Sequence, residues 1–328
     1  MRKINLAIVG ATGVVGRKFL EVIAERKIPF DNLYLFASKK SAGKEIIYQD
    51  QTYTVIELSE ENIKKYDIDF ALFSAGGSTA LTYAPMFAKQ KTIVIDNSSA
   101  FRMDKNVPLV VPEVNKDDAF KHNFIIANPN CSTIQAALVL KPLHDNYALK
   151  RVIMSTYQAV SGAGIDGIHD LEHELKTGET KKFPYQIHHN VIPHIDIFLE
   201  DGNTKEEDKM INEMRKILGI PDLKITATAV RVPVVHGHSE SINIEFNQDF
   251  EINTVKSILK QAPNVIVYDN PSELKYPMPI LAEGKDEVFV GRIRRDKSAD
   301  YALNLFVVAD NIRKGAATNA VQILELFL

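Results

Sequence analysis

The chain has 328 residues, 45% hydrophobic and 25% charged, with a formal net charge of -3 and a pI near 6.3. That balance excludes a disordered chain, supplies apolar material for about two domain cores, and leaves no electrostatic footprint for nucleic acid. A single cysteine excludes an internal disulfide, and the apolar run in "MRKINLAIVG" is too short for a signal peptide or a membrane span. A cytoplasmic protein is expected.

From the N-terminus, "INLAIV", "NLYLFAS", "IDFALFSA", "KTIVIDNS" and "FIIANP" are short strand-like runs, separated by the helical patterns "VVGRKFLEVIAERK" and "STALTYAPMFAKQ". Strand and helix in turn predict an α/β domain over residues 1–130, a Rossmann-like, doubly wound parallel sheet with helices on both faces. Directly after the first strand, "GATGVVG" carries Gly10, Thr12, Gly13, Val14, Val15 and Gly16 into the first helix. Glycines there allow a tight turn and close approach of a pyrophosphate, and the helix start supplies unpaired N–H groups. A phosphate-loop ATPase does not fit, because Gly16 is followed by Arg17 and not by Lys-Ser/Thr. The second strand ends in Ser38-Lys39-Lys40-Ser41, hydroxyls and cations where an NAD site places an acid, so NADP is the expected cofactor.

"NPNCST" then holds Cys131 where an extended segment gives way to the apolar helical run "IQAALVLKPL", with Asn130 as the N-cap. A thiol at a helix start feels the positive end of the dipole, which favours the thiolate nucleophile. From Leu149 onward the rhythm changes to longer strands, "KRVIMSTYQAV", "LKITATAVRVPVV", "SESINIEF", "EVFVGRIRR" and "YALNLFVVAD", with helices near 164–177 and 204–218. These predict an α+β domain with a mostly antiparallel sheet over 131–312, followed by a helix at about 313–328 that packs back on the first domain. Within "RVPVVHGHSE", Arg231 and His238 are seven positions apart, which along one strand would set them on opposite faces; a turn around "HGH", with His236, must intervene if both enter one site. His169 and His173 share a helical face, and His188, His189 and His194 follow, but neither stretch is H-E-x-x-H, so no metal is expected. "GRIRRDK" at 291–297 reads as a solvated strand edge or a subunit contact.

"GATGVVG", "NPNCST", "STYQAVSGAG" and "RVPVVHGHSE", in this order and at these separations, resemble the bacterial aspartate-semialdehyde dehydrogenases essentially end to end. The resemblance implies NADP-dependent reductive dephosphorylation of aspartyl phosphate to its semialdehyde, in the biosynthesis of lysine, threonine, methionine and isoleucine. It implies Cys131 as nucleophile, Gln158 positioning the substrate carbonyl, Arg231 on the amino-acid carboxylate and His238 as general acid/base. Arg102, with Asn97 beside it, matches a phosphate-binding position. Glu206 and Lys209 match substrate or phosphate contacts, with Glu207 leaving the register open. Ser74, Gly76, Ser161, Gly162 and Asn319 match cofactor contacts. A homodimer is implied, with a homotetramer as the alternative. The competing functions are N-acetylglutamyl-phosphate reductase, one methylene longer, and a non-catalytic NADP-binding redox sensor that uses Cys131 as its switch.

Overall fold

Six strands near the N-terminus form one parallel sheet in a computed structural model that describes residues 3–328. In chain order the elements are β1 (Ile4–Val9), α1 (Val14–Glu25), β2 (Phe30–Ala37), β3 (Glu45–Tyr48), β4 (Gln51–Thr54), β5 (Ile56–Glu57), α2 (Glu60–Ile63), β6 (Phe70–Phe73), α3 (Gly77–Lys89), β7 (Ile93–Asp96), α4 (Pro112–Asn115) and β8 (Ile125–Ala127). The sheet runs β5-β2-β1-β6-β7-β8, and every pairing in it is parallel. Strands covered on both faces need apolar residues throughout, which is why β1, β6 and β8 read as nearly unbroken apolar runs. The helix α1 buries Phe19, Leu20, Val22 and Ile23 along one stripe. β2 lies on one side of β1 and β6 on the other, so the strand order reverses at β1/β6. The β3/β4 hairpin is not among the predicted elements; Gln49 and Asp50 turn it at φ 47° and 61°, left-handed values usually signalled by Asn-Gly or Asp-Gly.

The second unit spans Asn130–Gly315. Its elements are α5 (Cys131–Tyr147), β9 (Leu149–Gln158), α6 (Ile165–Thr177), α7 (Lys205–Leu218), β10 (Lys224–Arg231), β11 (His238–Phe246), α8 (Ile252–Gln261), β12 (Val265–Val267), α9 (Pro279–Ala282), β13 (Val288–Asp296) and β14 (Ala302–Ala309). Its sheet runs β10-β9-β11-β14-β13-β12. The four central strands are mutually antiparallel, as expected, while the edge strands β10 and β12 add parallel pairs. α5 is buried on all sides from Ser132 to Leu140, the pattern of a core helix. On β11 the core-facing positions are His238, Glu240, Ile242, Ile244 and Phe246, a polar pair at one end of an apolar row. The arginines of the basic cluster, Arg292, Arg294 and Arg295, are exposed where β13 runs past its last pair with β12.

The chain then passes through a wide helical turn at Arg313–Ala317 into α10 (Thr318–Glu325). Residues Ala316–Leu328 belong to the first unit, where Ala317, Ala320, Val321, Ile323 and Leu324 complete the core around α1. Among the described residues no helix is long and apolar enough to cross a membrane.

Candidate active site

In the first unit, the residues of the glycine loop and its neighbours that are expected to hold the cofactor follow the carboxyl ends of central strands. Gly10, at the end of β1, has φ 88°, and a Cβ there would lie 2.2 Å from the Ser74 carbonyl oxygen. A Cβ on Gly16 would lie 2.1 Å from the Gly10 oxygen. Close backbone approach therefore requires glycine at both positions. Gly13 opens α1 as its N-cap, and no side chain caps that helix. The unsatisfied amides and the dipole of such a start form an anion cradle, with Thr12, Val14 and Val15 in the same turn. Ser38, Lys39 and Lys40 are exposed just beyond β2, and Ser41 closes a short 3-10 turn there. Ser74 follows β6, and Gly76, at φ 85°, precedes α3. These loops surround the β1/β6 reversal, the position at which open α/β sheets hold nucleotides.

Arg102, Asn97 and Asn319 also lie in this unit. The Arg102 guanidinium donates from Nε to the Asn128 carbonyl at 2.9 Å and from Nη2 to the Asn97 carbonyl at 2.8 Å. Asn128 Nδ2 donates to Asn97 Oδ1 at 2.7 Å, and Asn319 Nδ2 donates to Asn128 Oδ1 at 2.7 Å and to the Val110 carbonyl at 3.0 Å. Arg102 and the three asparagines thus fix the loops beyond β7 and β8.

The second unit gathers the remaining polar residues around the start of α5. Asn130 caps that helix, its Oδ1 accepting from the Ser132 amide at 2.9 Å. Its Nδ2 donates to Glu206 Oε1 at 2.8 Å and its backbone amide to Glu213 Oε2 at 2.7 Å, so two carboxylates seven residues apart on α7 clamp the residue before Cys131. Glu206 also accepts from Gln158 Nε2 at 3.3 Å and from Lys209 Nζ at 3.3 Å, and Lys209 pairs with Asp196 at 2.5 Å. Glu207 points elsewhere: it completes a capping box with Thr204 and accepts from the Ala229 amide at 2.9 Å. Glu206 is therefore the member of the pair that faces the helix start.

Strand order explains how Arg231, Gln158 and His238 meet. β9 lies between β10 and β11, Arg231 pairs with Gln158, and His238 stands one step beyond the Ser239–Tyr157 pair. The seven-residue spacing is a crossing, not a run along one strand: residues 232–237 pass over the end of β9, with the Val160 amide donating to the Val234 carbonyl at 2.8 Å. Arg231 Nη1 donates to the Ala159 carbonyl at 2.7 Å, while its buried Nε has no partner. His238 is fully buried; Nδ1 accepts from the Ala159 amide at 3.0 Å, and Nε2 has no partner. Burial, and next the Arg231 charge, holds the imidazole well below its ordinary pKa. Both effects favour the neutral ring, and the Nδ1 contact favours the tautomer with its proton on Nε2. Gly162 sits against both groups, since a Cβ there would lie 3.1 Å from Arg231 Nη1 and 3.3 Å from His238 Nε2. Glu206 and Cys131 are both within electrostatic reach of the Arg231 charge.

Two family models match the chain: semialdehyde dehydrogenase, NAD binding domain, over residues 5–122, and semialdehyde dehydrogenase, dimerisation domain, over residues 140–314. The aspartate-semialdehyde dehydrogenase of Aquifex aeolicus is 56% identical across 99% of this chain and 98% of its own length. The chain belongs to the aspartate-semialdehyde dehydrogenase family. Aspartate semialdehyde dehydrogenase II of Vibrio cholerae, solved complexed with ASA, superposes with a TM-score of 0.94 at 43% identity, over 100% of this chain and 98% of that one. The Candida albicans aspartate semialdehyde dehydrogenase, solved with NADP, gives a TM-score of 0.80 at 26% identity, over 99% of this chain and 98% of that one. Members of the family are oxidoreductases of amino-acid biosynthesis with a nicotinamide cofactor, and this chain is one of them.

The sequence motifs that point to the family do not reveal all of the cluster. Glu213 sits in the amphipathic α7, where a buried carboxylate looks like any helical glutamate. Asn311 joins Ser161 to the crossing, its Nδ2 donating to Ser161 Oγ at 3.0 Å and its Oδ1 accepting from the Gly237 amide at 2.9 Å. Gly315 lies in the wide helical turn, where a Cβ would fall 2.8 Å from the Cys131 Cβ. Such widened turns cluster at functional sites. A Gly315→Ala variant must displace Cys131 or its own turn, so kcat is expected to fall by roughly a hundredfold, measured by steady-state assay of a variant whose circular dichroism matches the wild type. The histidines form no such cluster. His169 and His173 have ring centroids 4.6 Å apart, His188 and His189 4.2 Å, and His194 stacks on Phe198 at 4.4 Å. Among the described residues no group of three or more His, Cys, Asp or Glu is placed to hold a metal.

Proposed function

We propose that the chain is an NADP-dependent aspartate-semialdehyde dehydrogenase that converts aspartyl phosphate to aspartate semialdehyde through a thioester on Cys131, supplying the biosynthesis of lysine, threonine, methionine and isoleucine. The observation that carries this reading is a buried guanidinium with an unpartnered Nε and a buried imidazole with an unpartnered Nε2, both against Gly162. Buried polar hydrogens without acceptors call for a ligand that supplies them. An amino-acid carboxylate suits the Arg231 fork, and a developing oxyanion suits the His238 Nε2–H.

Cys131 sulfur attacks the acyl carbon, the new C–S bond replaces the C–O bond to phosphate, and phosphate departs. NADPH, when bound, supplies the hydride that reduces the thioester. Breaking the C–S bond of the resulting thiohemiacetal releases the aldehyde and restores the thiol. Gln158 positions the substrate carbonyl, and Glu206 and Lys209 contact the substrate. His238 is the general acid/base of the family pattern; with Nδ1 held by the Ala159 N–H, its Nε2 is the ring nitrogen that faces the reacting oxygen. For Arg102 and Asn97 as phosphate contacts, and Asn319, Ser161 and Gly162 as cofactor contacts, the support is the family pattern. A homodimer, in a cytoplasmic enzyme, accompanies this reading; the dimerisation-domain match supports the dimer.

The test is reduction of NADP by the purified protein with aspartate semialdehyde and inorganic phosphate, run beside NAD and beside N-acetylglutamate semialdehyde. Turnover that needs phosphate and prefers the shorter aldehyde supports the reading; NADP binding without phosphate-dependent turnover overturns it in favour of a redox sensor. Cofactor choice has its own check. A Ser38→Asp variant places an acid beyond β2, and the KM for NADP should rise about tenfold or more while that for NAD changes less.

A further inference from the structure

Glu240 is a buried carboxyl that the mechanism above does not use. It stands on the core-facing row of β11, two residues from His238, with Thr156 of β9 and Val307 of β14 as its cross-strand neighbours, and all of these are fully buried. From α5, Ser132 and Gln135 lie within hydrogen-bonding reach of it, and neither is charged. The titratable groups closest along these elements are His238 on its own strand and Cys131 beside Ser132.

Four polar atoms in this layer have no well-formed hydrogen bond: Glu240 Oε1 and Oε2, Ser132 Oγ and Gln135 Oε1. Gln135 Nε2 is committed to the His238 carbonyl at 3.3 Å, which leaves its Oε1 as the acceptor available to the carboxyl. A carboxylate would offer that oxygen only further acceptors, whereas a carboxylic acid offers an O–H. With the proton present, Glu240 donates to Gln135 Oε1 and accepts from the Ser132 hydroxyl, and the buried donors and acceptors balance. Burial with no cation beside it pushes the carboxyl well above its ordinary range, in agreement with that count.

We propose that Glu240, carrying its proton, is a positioning residue: it ties the first turn of the helix that presents Cys131 to Gln135, and through Gln135 to the strand that presents His238. The inference rests on the reading of Cys131 as the nucleophile. Its stability test needs no turnover, so the two can fail separately.

The test compares E240Q and E240L in the full-length enzyme. E240Q keeps the shape and a donor, and should retain kcat within about threefold, whereas E240L, which breaks the link, should lose roughly a hundredfold. In the wild type kcat should fall on the alkaline side as Glu240 ionises, and E240Q should lack that limb. Thermal melts supply the independent readout. The unfolded carboxyl titrates near 4.5 and the folded one far above it, so wild-type stability is lost progressively as pH rises from the lower value towards the higher. Gln carries no such cost, and the Tm of E240Q should gain on that of the wild type as pH rises above about 5. E240Q as impaired as E240L, E240L with wild-type kcat, or a Tm difference that does not grow with pH each overturns the proposal. If E240L fails to fold, the alkaline limb and the melts of E240Q against wild type decide it.

Discussion

Cys131→Ala is expected to abolish phosphate-dependent turnover, with a fall in kcat of at least about ten-thousandfold, while leaving the fold intact. The size follows from covalent chemistry: without sulfur there is no acyl intermediate, and the other groups have nothing to stabilise. The mildness towards folding follows from the packing. Cys131 is half-buried at the first position of α5, and the cap is made by Asn130, whose bonds to Ser132, Glu206 and Glu213 do not involve the Cys131 side chain. One cysteine per chain makes the check unambiguous. An alkylating agent should add one equivalent to the wild type, remove activity in proportion, and add nothing to the variant. Mass spectrometry of the wild type mixed with aspartyl phosphate without cofactor should show an acyl adduct, absent from the variant. Residual variant activity above about one per cent of wild type would exclude the thioester route.

The sequence made the alternation of strands and helices legible because a parallel sheet covered on both faces demands unbroken apolar runs, and β1, β6, β7 and β8 supply them. It also marked α6 and α7, whose polar and apolar faces repeat at the helical period. The β3/β4 hairpin escaped because Gln49-Asp50 is weak turn chemistry, and β12 escaped because three residues carry too little periodicity. The cluster around α5 divides in the same way. Cys131, Gln158, Arg231 and His238 stand in recognisable segments, and strand order β10-β9-β11 brings the last three to one level, which no spacing rule along a single strand could express. Glu213, Asn311 and Gly315 lie outside those segments, and Glu240 ends one of them without any local sign of its partners. Each acts on a residue 70 or more positions away, or touches one through space, so only the fold reveals it.

Arg231→Leu is expected to lower kcat/KM for aspartate semialdehyde by roughly a thousandfold, and Arg231→Lys to raise KM by about tenfold to a hundredfold, with a smaller change in kcat. The guanidinium is 5% exposed, held through Nη1 on the Ala159 carbonyl and flanked by the Phe183 ring, with its Nε unsatisfied. It is thus pre-oriented, and a planar carboxylate can meet it with two parallel bonds at little entropic cost. Lysine at this site would bring the charge without the fork. Leucine would bring neither, and would leave the ligand carboxylate buried without its partner. The discriminating measurement uses a second aldehyde of the same length that lacks the α-carboxylate. If Arg231 acts through the carboxylate, wild type and Arg231→Leu should turn this compound over at similar, low kcat/KM, and the preference of the wild type for the amino-acid aldehyde should collapse in the variant. An equal loss on both aldehydes would instead mean that Arg231 supports the Ala159 turn and, through it, His238, since both Arg231 Nη1 and His238 Nδ1 bond that one residue.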